Sequence, residues 1–168
     1  MQYTCAEAAK LLRTLNEELR TASAREEKSC LFTAAVEEDL ESVRPVYDYE
    51  AAQKEQDLIR EKIRKVKHAI NAFNLRTEVP GFHMTIDEIL VYIPQLTEKK
   101  RKLTEMVSHL PKERVSDRYS SSKFIEYTYA NYDIARAEED LRAVTETLAN
   151  AQLALDNVNT RETLDIEF

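Results

Sequence analysis

The sequence is short of the residues that make tight turns and phosphate-binding loops. It contains one glycine, Gly81, and four prolines in 168 residues. Catalytic α/β folds place several glycines where the backbone turns sharply or approaches a phosphate group. The scarcity of glycine therefore argues against that class of fold. Long helices tolerate such a composition, so the sequence favours a mainly all-α protein.

Cysteines and long apolar runs are also scarce. The two cysteines, Cys5 and Cys30, form no Cys-x-x-Cys pair. We interpret them as small hydrophobic residues in a reducing compartment rather than as a disulfide framework. No stretch approaches the ~18 consecutive apolar residues of a membrane-spanning helix, and no signal-peptide pattern opens the chain. These absences predict a soluble, cytoplasmic protein.

Basic residues are fewer than acidic ones, 24 against 31, and the net charge is −7. A negative protein repels nucleic-acid phosphates, so binding over the whole surface is not expected. Two locally basic stretches keep a nucleic-acid-associated protein as an alternative. We prefer to interpret them as solvated helix faces. Their cationic residues are Lys62, Arg64, Lys65, Lys67, Lys99, Arg101 and Lys102.

Four segments place apolar residues at alternating steps of three and four. The segments cover residues 5–22, 52–73, 86–110 and 134–158. This period is typical of helices that pack along a narrow seam, in a coiled coil or a four-helix bundle. Gln56 and Lys100 are the polar residues on these seams. We interpret them as register devices, because a polar seam residue lowers stability but penalises misaligned pairings.

The two halves of the chain repeat one another. Thr4 and Glu7 recur 81 positions later as Thr85 and Glu88, and each pair has the spacing of a helix-starting capping box. We therefore predict one domain, residues 1–168, made of two pseudo-repeats at about 3–79 and 84–168. Each repeat is expected to form an antiparallel helical hairpin. Asp48 and Asn131 are the predicted N-caps of the second and fourth helices.

The helix ends repeat as well, since residues 70–76 recur 85 positions later as residues 155–161. This step places Asn74 and Arg76 in one half and Asn159 and Arg161 in the other. One interpretation is a paired binding site that the two halves form at one end. The interpretation we prefer is structural: each Asn terminates its helix, and each Arg interacts with the last carbonyls.

Three segments have strand character and one proline interrupts a helix. The strand-like segments are residues 30–36, 123–129 and 164–168. We expect them to pair into one small sheet that caps an end of the helices. Pro94 lies inside the third seam and lacks a backbone donor, which predicts a kink or a local break near Leu90.

The helix-end step, the extended connectors and the Thr-x-x-Glu helix starts together resemble the septicolysin-like family of small bacterial coiled-coil proteins. The step is carried by Asn74, Arg76, Asn159 and Arg161, and the resemblance covers most of the chain. It implies a bacterial coiled-coil protein and no established activity. The family's name adds a membrane-active, toxin-like protein as a further alternative.

The seams carry none of the chemistry of a helical enzyme. Di-metal bundles place a Glu-x-x-His step on facing helices, but no histidine here has a glutamate three positions before it. We therefore predict no metal, no cofactor and no catalytic residue. The function that we predict is a non-enzymatic helical scaffold or adaptor. It would act through protein–protein interaction as a homo-oligomer, most simply a dimer.

Overall fold

The structure is a computed structural model that describes residues 1–115 and 125–168. The described residues are mainly helical, so the predicted mainly all-α fold is confirmed. The helices are α1 (Cys5–Ser29), α2 (Leu40–Val43), α3 (Tyr49–Arg76), α4 (Ile86–Ser108) and α5 (Ile134–Arg161). The strands are β1 (Gln2–Thr4), β2 (Glu78–Val79), β3 (Met84–Thr85), β4 (Lys112–Arg114), β5 (Tyr127–Tyr129) and β6 (Thr163–Asp165).

The chain divides into two compact units, and the first contains Met1–Thr77 and Val158–Phe168. In this unit α1 and α3 pack as an antiparallel hairpin, with Arg25 near the end of α1 bonded to Glu55 near the start of α3. Strands β1 and β6 pair antiparallel above the hairpin. The core cluster consists of Ala8, Leu15, Ile63, Val66, Leu164 and Ile166. The C-terminal segment thus completes the core of the first unit.

The second unit contains Glu78–Asn157. Strands β2 and β3 pair across a turn in which Gly81 has a φ of 85° and His83 a φ of 52°. Gly81 adopts this left-handed conformation without strain because it lacks a Cβ atom. Helices α4 and α5 pack together, and β4 pairs antiparallel with β5. The core cluster consists of Leu96, Leu103, Val144, Leu148 and Ala151.

The seam period locates the buried faces of the long helices. Every predicted seam position except Leu110 is buried or half-buried. Gln56 is polar and yet buried among these apolar positions, with only 3% of its surface exposed. Lys100 is half-buried on α4, between the buried Leu96 and Leu103. The three-four spacing therefore predicted which face of each helix packs, because it follows the turn of the helix.

The helix starts follow the predicted caps with one exception. Both capping boxes form, and Asp48 caps α3 through a 3.0 Å bond from the amide of Ala51. The N-cap predicted at Asn131 is wrong. Asp133 accepts from the amide of Arg136 at 3.2 Å instead, and α5 begins at Ile134. Tyr132 stays outside the helix because its hydroxyl donates to the carbonyl of Met106.

The prediction of a single capping sheet is also wrong, since the strands of the described residues form three separate two-stranded ribbons. Residues 30–36 form no strand, and the chain turns there through a 3.1 Å bond from the Glu38 amide to the Ala35 carbonyl. Without a neighbouring strand, an extended segment gains no ladder bonds. Of residues 123–129, Tyr127–Tyr129 form β5, and residues 123 and 124 lie outside the described residues.

Of the kink or local break predicted near Leu90, the break does not occur, because α4 continues through Pro94 to Ser108; a kink there stays a prediction. Proline removes one backbone donor from the helix. Ile89 and Leu96 are buried on either side of it, so packing holds both parts of the helix in place. The local loss of a hydrogen bond is thus tolerated inside a packed element.

Candidate functional site

A polar cluster fixes the end of the α1–α3 hairpin. The carboxylate of Glu26 accepts hydrogen bonds from the hydroxyl of Tyr47 at 2.7 Å and the amide of Gln53 at 2.6 Å. The side-chain amide of Gln56 donates to the same carboxylate, and Arg60 donates to the carbonyl oxygen of Gln56 at 2.8 Å. The connector is therefore tied to both helices, and every polar atom of Gln56 that faces this cluster has a partner.

The cluster also changes the titration of its members. The hydrogen bond from Tyr47 is the largest cause that lowers the pKa of Glu26, followed by the bond from Gln56. The same bond to Glu26 is the largest cause that raises the pKa of Tyr47 to about 12. The raised pKa keeps the phenol of Tyr47 protonated near neutral pH, so that it donates its hydrogen bond to Glu26. The role of Gln56 as a register device fits this arrangement and stays a prediction.

The four residues singled out at the helix ends all lie in the first unit. Asn74 and Arg76 occupy the last turn of α3, and Asn159 and Arg161 the last turn of α5. The helices continue past both asparagines, and Thr77 is the C-cap of α3. The Oδ1 atoms of the two asparagines are buried without a hydrogen-bond partner. The repeat, and the choice between a binding role and a structural role for these residues, stay predictions.

The connector between α1 and α3 presents apolar side chains to solvent. Val36 and Val46 are fully exposed, at 105% and 102% of their reference areas. The guanidinium of Arg44 lies 5.3 Å from the ring centroid of Phe32 and bonds to Glu41 at 2.8 Å. We call this the connector surface. Its exposed large apolar residues are Leu31, Phe32, Val36, Leu40 and Val46.

The β4–β5 ribbon of the second unit presents aromatic side chains in the same way. Its register sets Lys112 opposite Tyr129 and Arg114 opposite Tyr127, so these four side chains share one face. The ammonium of Lys112 lies 4.1 Å from the ring centroid of Tyr127 and 5.4 Å from that of Tyr129. We call this the ribbon surface. Its exposed large apolar residues are Leu110, Val115, Ile125, Tyr127 and Tyr129.

The two basic stretches are partly neutralised by neighbouring acids. Lys65 pairs with Glu61 at 3.0 Å, and Arg101 pairs with Glu98 at 2.6 Å. The hydrogen bond to Glu98 is also the largest cause that raises the pKa of Arg101. These helix faces therefore carry mixed charge. An interface for nucleic acid usually clusters unpaired cations on one face.

Sequence reasoning singled out Gln56 but not the Glu26 cluster around it, and it predicted a strand over residues 123–129 but not its pairing with β4. The hydrogen bonds to Glu26 come from residues 21 to 30 positions later in the chain, and no local spacing marks them. The alternation of Tyr127 and Tyr129 with Thr128 is part of the pattern that predicted this strand. Lys112 could not be placed on that face without the strand register.

Within the described ranges, no group of three or more His, Cys, Asp or Glu is placed to hold a metal ion. None of the described helices has both the length and the apolar character needed to cross a membrane. The fold and its surfaces define a mainly α-helical protein of antiparallel hairpins whose connecting segments expose apolar and aromatic side chains.

The comparisons with known proteins agree at the level of the fold. No family model matches this chain, and no curated protein matches it. The chain is similar to a solved structure, the crystal structure of a functionally unknown conserved protein from Corynebacterium diphtheriae. The two chains are 17% identical, the TM-score is 0.59, and the match covers 98% of this chain and 100% of the other. At this identity the likeness shows a shared fold alone.

Proposed function

We propose that this protein is a non-enzymatic scaffold or adaptor that works through protein–protein contacts made by its connector and ribbon surfaces. The proposal includes self-association into a homo-oligomer, a bacterial cytoplasmic setting and membership of the septicolysin-like family. The observation that carries it is the concentration of exposed large apolar residues in Leu31–Val46 and in the described residues 110–115 and 125–129.

The exposed area is a physical reason to expect a partner. Burying one Val, Leu, Ile or Phe side chain is favourable by about 1.5–3 kcal/mol. Scattered single apolar residues on a surface need no explanation, but several in one segment are typical of contact sites. The connector surface groups five such residues and the ribbon surface another five. Burying all five residues of one set would be favourable by about 7.5–15 kcal/mol before the cost of association, and a micromolar Kd corresponds to about 8 kcal/mol.

Sedimentation velocity over a range of protein concentrations tests the proposal. The connector variant combines Val36→Ser with Val46→Ser, and the ribbon variant replaces Ile125 by Ser. A matched control combines Leu58→Ser with Leu153→Ser, which are exposed on α3 and α5 at 52% and 62%. Folding of each variant is checked by circular dichroism.

We expect the wild type to self-associate and at least one surface variant to lose affinity about tenfold or more, because hot-spot apolar residues carry most of an interface's energy. The control should associate like the wild type. A wild type that stays monomeric at all concentrations would refute the homo-oligomer. Equal loss in the control would show that the two surfaces have no special role.

The alternatives predict different behaviour. A nucleic-acid-associated protein would bind DNA or RNA with a steep salt dependence that charge reversal at Lys62, Lys65 and Lys102 abolishes. A membrane-active protein would release dye from liposomes. Our proposal expects neither result, and either one would replace it.

A further inference from the structure

A groove beside β6 has the features of a strand-addition site. Its volume is about 620 Å³, and all of its lining residues belong to the first unit. One wall is a single face of α3, formed by Lys65, His68, Ala69, Ala72, Phe73 and Arg76. The opposite wall is the outer side of β6 and the residues next to it, from Glu162 to Glu167.

The hydrogen-bond pattern shows which backbone groups of β6 point away from β1. The amino group of Met1 donates to the carbonyl of Ile166 at 3.1 Å, and the amide of Ile166 donates to the carbonyl of Met1 at 2.9 Å. Along an antiparallel pair of strands, residue pairs that exchange both backbone bonds alternate with pairs that exchange none. Leu164 therefore bonds toward β1, whereas the backbone N–H and C=O groups of Thr163 and Asp165 point outward.

The outer edge of β6 is open along the described part of the chain, since β1 is its single strand partner there. Outward N–H and C=O groups on such an edge can bond to another extended chain. The buried Leu164 and Ile166 pack into the core, so the edge is held rigidly. A peptide that binds here would gain ladder bonds without deforming the strand.

The dimensions of the groove set the length of that peptide. From Lys65 to Arg76 the α3 wall advances 11 residues, or about 16 Å at 1.5 Å per residue. An extended chain rises about 3.3 Å per residue, so about five residues fit along the wall. Ala69, Ala72 and Phe73 form an apolar floor for every second side chain.

The charges around the groove select a basic peptide. Lys65 is already paired with Glu61 at 3.0 Å, which leaves Arg76 as the unpaired guanidinium on the α3 wall. The strand wall carries three carboxylates, on Glu162, Asp165 and Glu167. Directly opposed cross-strand side chains of opposite charge stabilise a ladder. Basic residues opposite Asp165 and Glu167 would meet two of these three carboxylates.

From these features we infer that the groove between α3 and β6 binds an extended peptide of about five residues by adding a third strand to the outer edge of β6. The peptide carries basic side chains at alternate positions, opposite Asp165 and Glu167, and small apolar side chains between them, over Ala72 and Phe73. This site is separate from the connector and ribbon surfaces, so its failure would leave the proposed function unaffected.

The test measures fluorescence anisotropy of a labelled Lys-Val-Lys-Val-Lys peptide with the full chain at low salt. Two further peptides have the same side chains and carry N-methyl groups on alternate backbone amides, one peptide for each of the two possible phases. N-methylation removes backbone donors while keeping the charge. A Glu-Val-Glu-Val-Glu peptide reports on charge selection.

The protein variant combines Asp165→Lys with Glu167→Lys. The matched control, Glu17→Lys with Glu18→Lys, makes the same change in net charge on the exposed face of α1. We expect the parent peptide to bind, and one of the two N-methylated peptides to bind at least tenfold more weakly. The Asp165/Glu167 variant should lose a similar factor, and the control variant less than threefold.

Three outcomes would overturn the inference. Absence of parent-peptide binding would exclude the site for this chemistry. Unchanged binding of both N-methylated peptides would show that no ladder forms. An equal loss in the Glu17/Glu18 control would show plain attraction to net negative charge.

Discussion

The replacement Ile166→Ala tests how far the C-terminal segment supports the first unit. Ile166 is only 2% exposed and packs in the same cluster as Ala8, Leu15, Ile63 and Val66, residues about 100 to 158 positions away in sequence. The change removes three carbon atoms, worth about 2.4 kcal/mol at ~0.8 kcal/mol each. Incomplete collapse of the cavity adds to this, so we expect a loss of about 3 kcal/mol.

Thermal and urea unfolding, followed by circular dichroism, measure this loss. For a chain of this length 1 kcal/mol corresponds to roughly 2–4 °C, so the melting temperature should fall by about 6–12 °C. The same replacement at Ile125, which is 65% exposed, is the matched control and should change stability by less than ~0.5 kcal/mol. Equal small effects at the two positions would refute the view that β6 and Ile166 complete the core.

Three further predictions concern the seam, a helix cap and the polar cluster. Lys100→Leu should raise the melting temperature and loosen oligomer specificity, and an unchanged or lower value would contradict the register role. Thr85→Ala should cost about 1 kcal/mol near neutral pH by urea unfolding. Because the bonds with Thr85 lower the pKa of Glu88, the difference in free energy of unfolding between the wild type and Thr85→Ala should shrink as pH falls below 4.5, the ordinary pKa of Glu. A difference that stays constant with pH would contradict this prediction. Folding raises the pKa of Tyr47 from 10.0 to about 12. The contribution of Tyr47 to the free energy of unfolding should therefore be complete below pH 10 and disappear between pH 10 and 12. Tyr47→Phe should remove that alkaline loss, and a variant that keeps it would refute the assignment.

Local patterns predicted the helices and their buried faces because those properties depend on neighbours three or four residues apart. The capping boxes at Thr4 and Thr85 were predictable for the same reason, since all their hydrogen bonds lie within one helical turn. Asn131 failed as a cap because Asp133, two residues later, competes for the same role, and Tyr132 bonds to a distant carbonyl.

The strands and surfaces were less predictable because their structure depends on partners far away in sequence. Residues 30–36 have strand-like composition but no neighbouring strand, so they remain irregular. Strand β6 forms because β1, about 160 residues earlier, lies beside it. The cation–aromatic face of the ribbon likewise depends on the register that sets Lys112 opposite Tyr129.

Photo-crosslinking in living cells tests the central proposal, contact through the connector and ribbon surfaces, most directly. A benzophenone amino acid replaces Val46 or Ile125 on these surfaces, and Leu58 or Leu153 as exposed helix controls. We predict discrete crosslinked protein bands, to a second copy or to another protein, from Val46 or Ile125 and none from the two controls. Bands from Leu58 and Leu153 with none from Val46 and Ile125 would contradict the proposal.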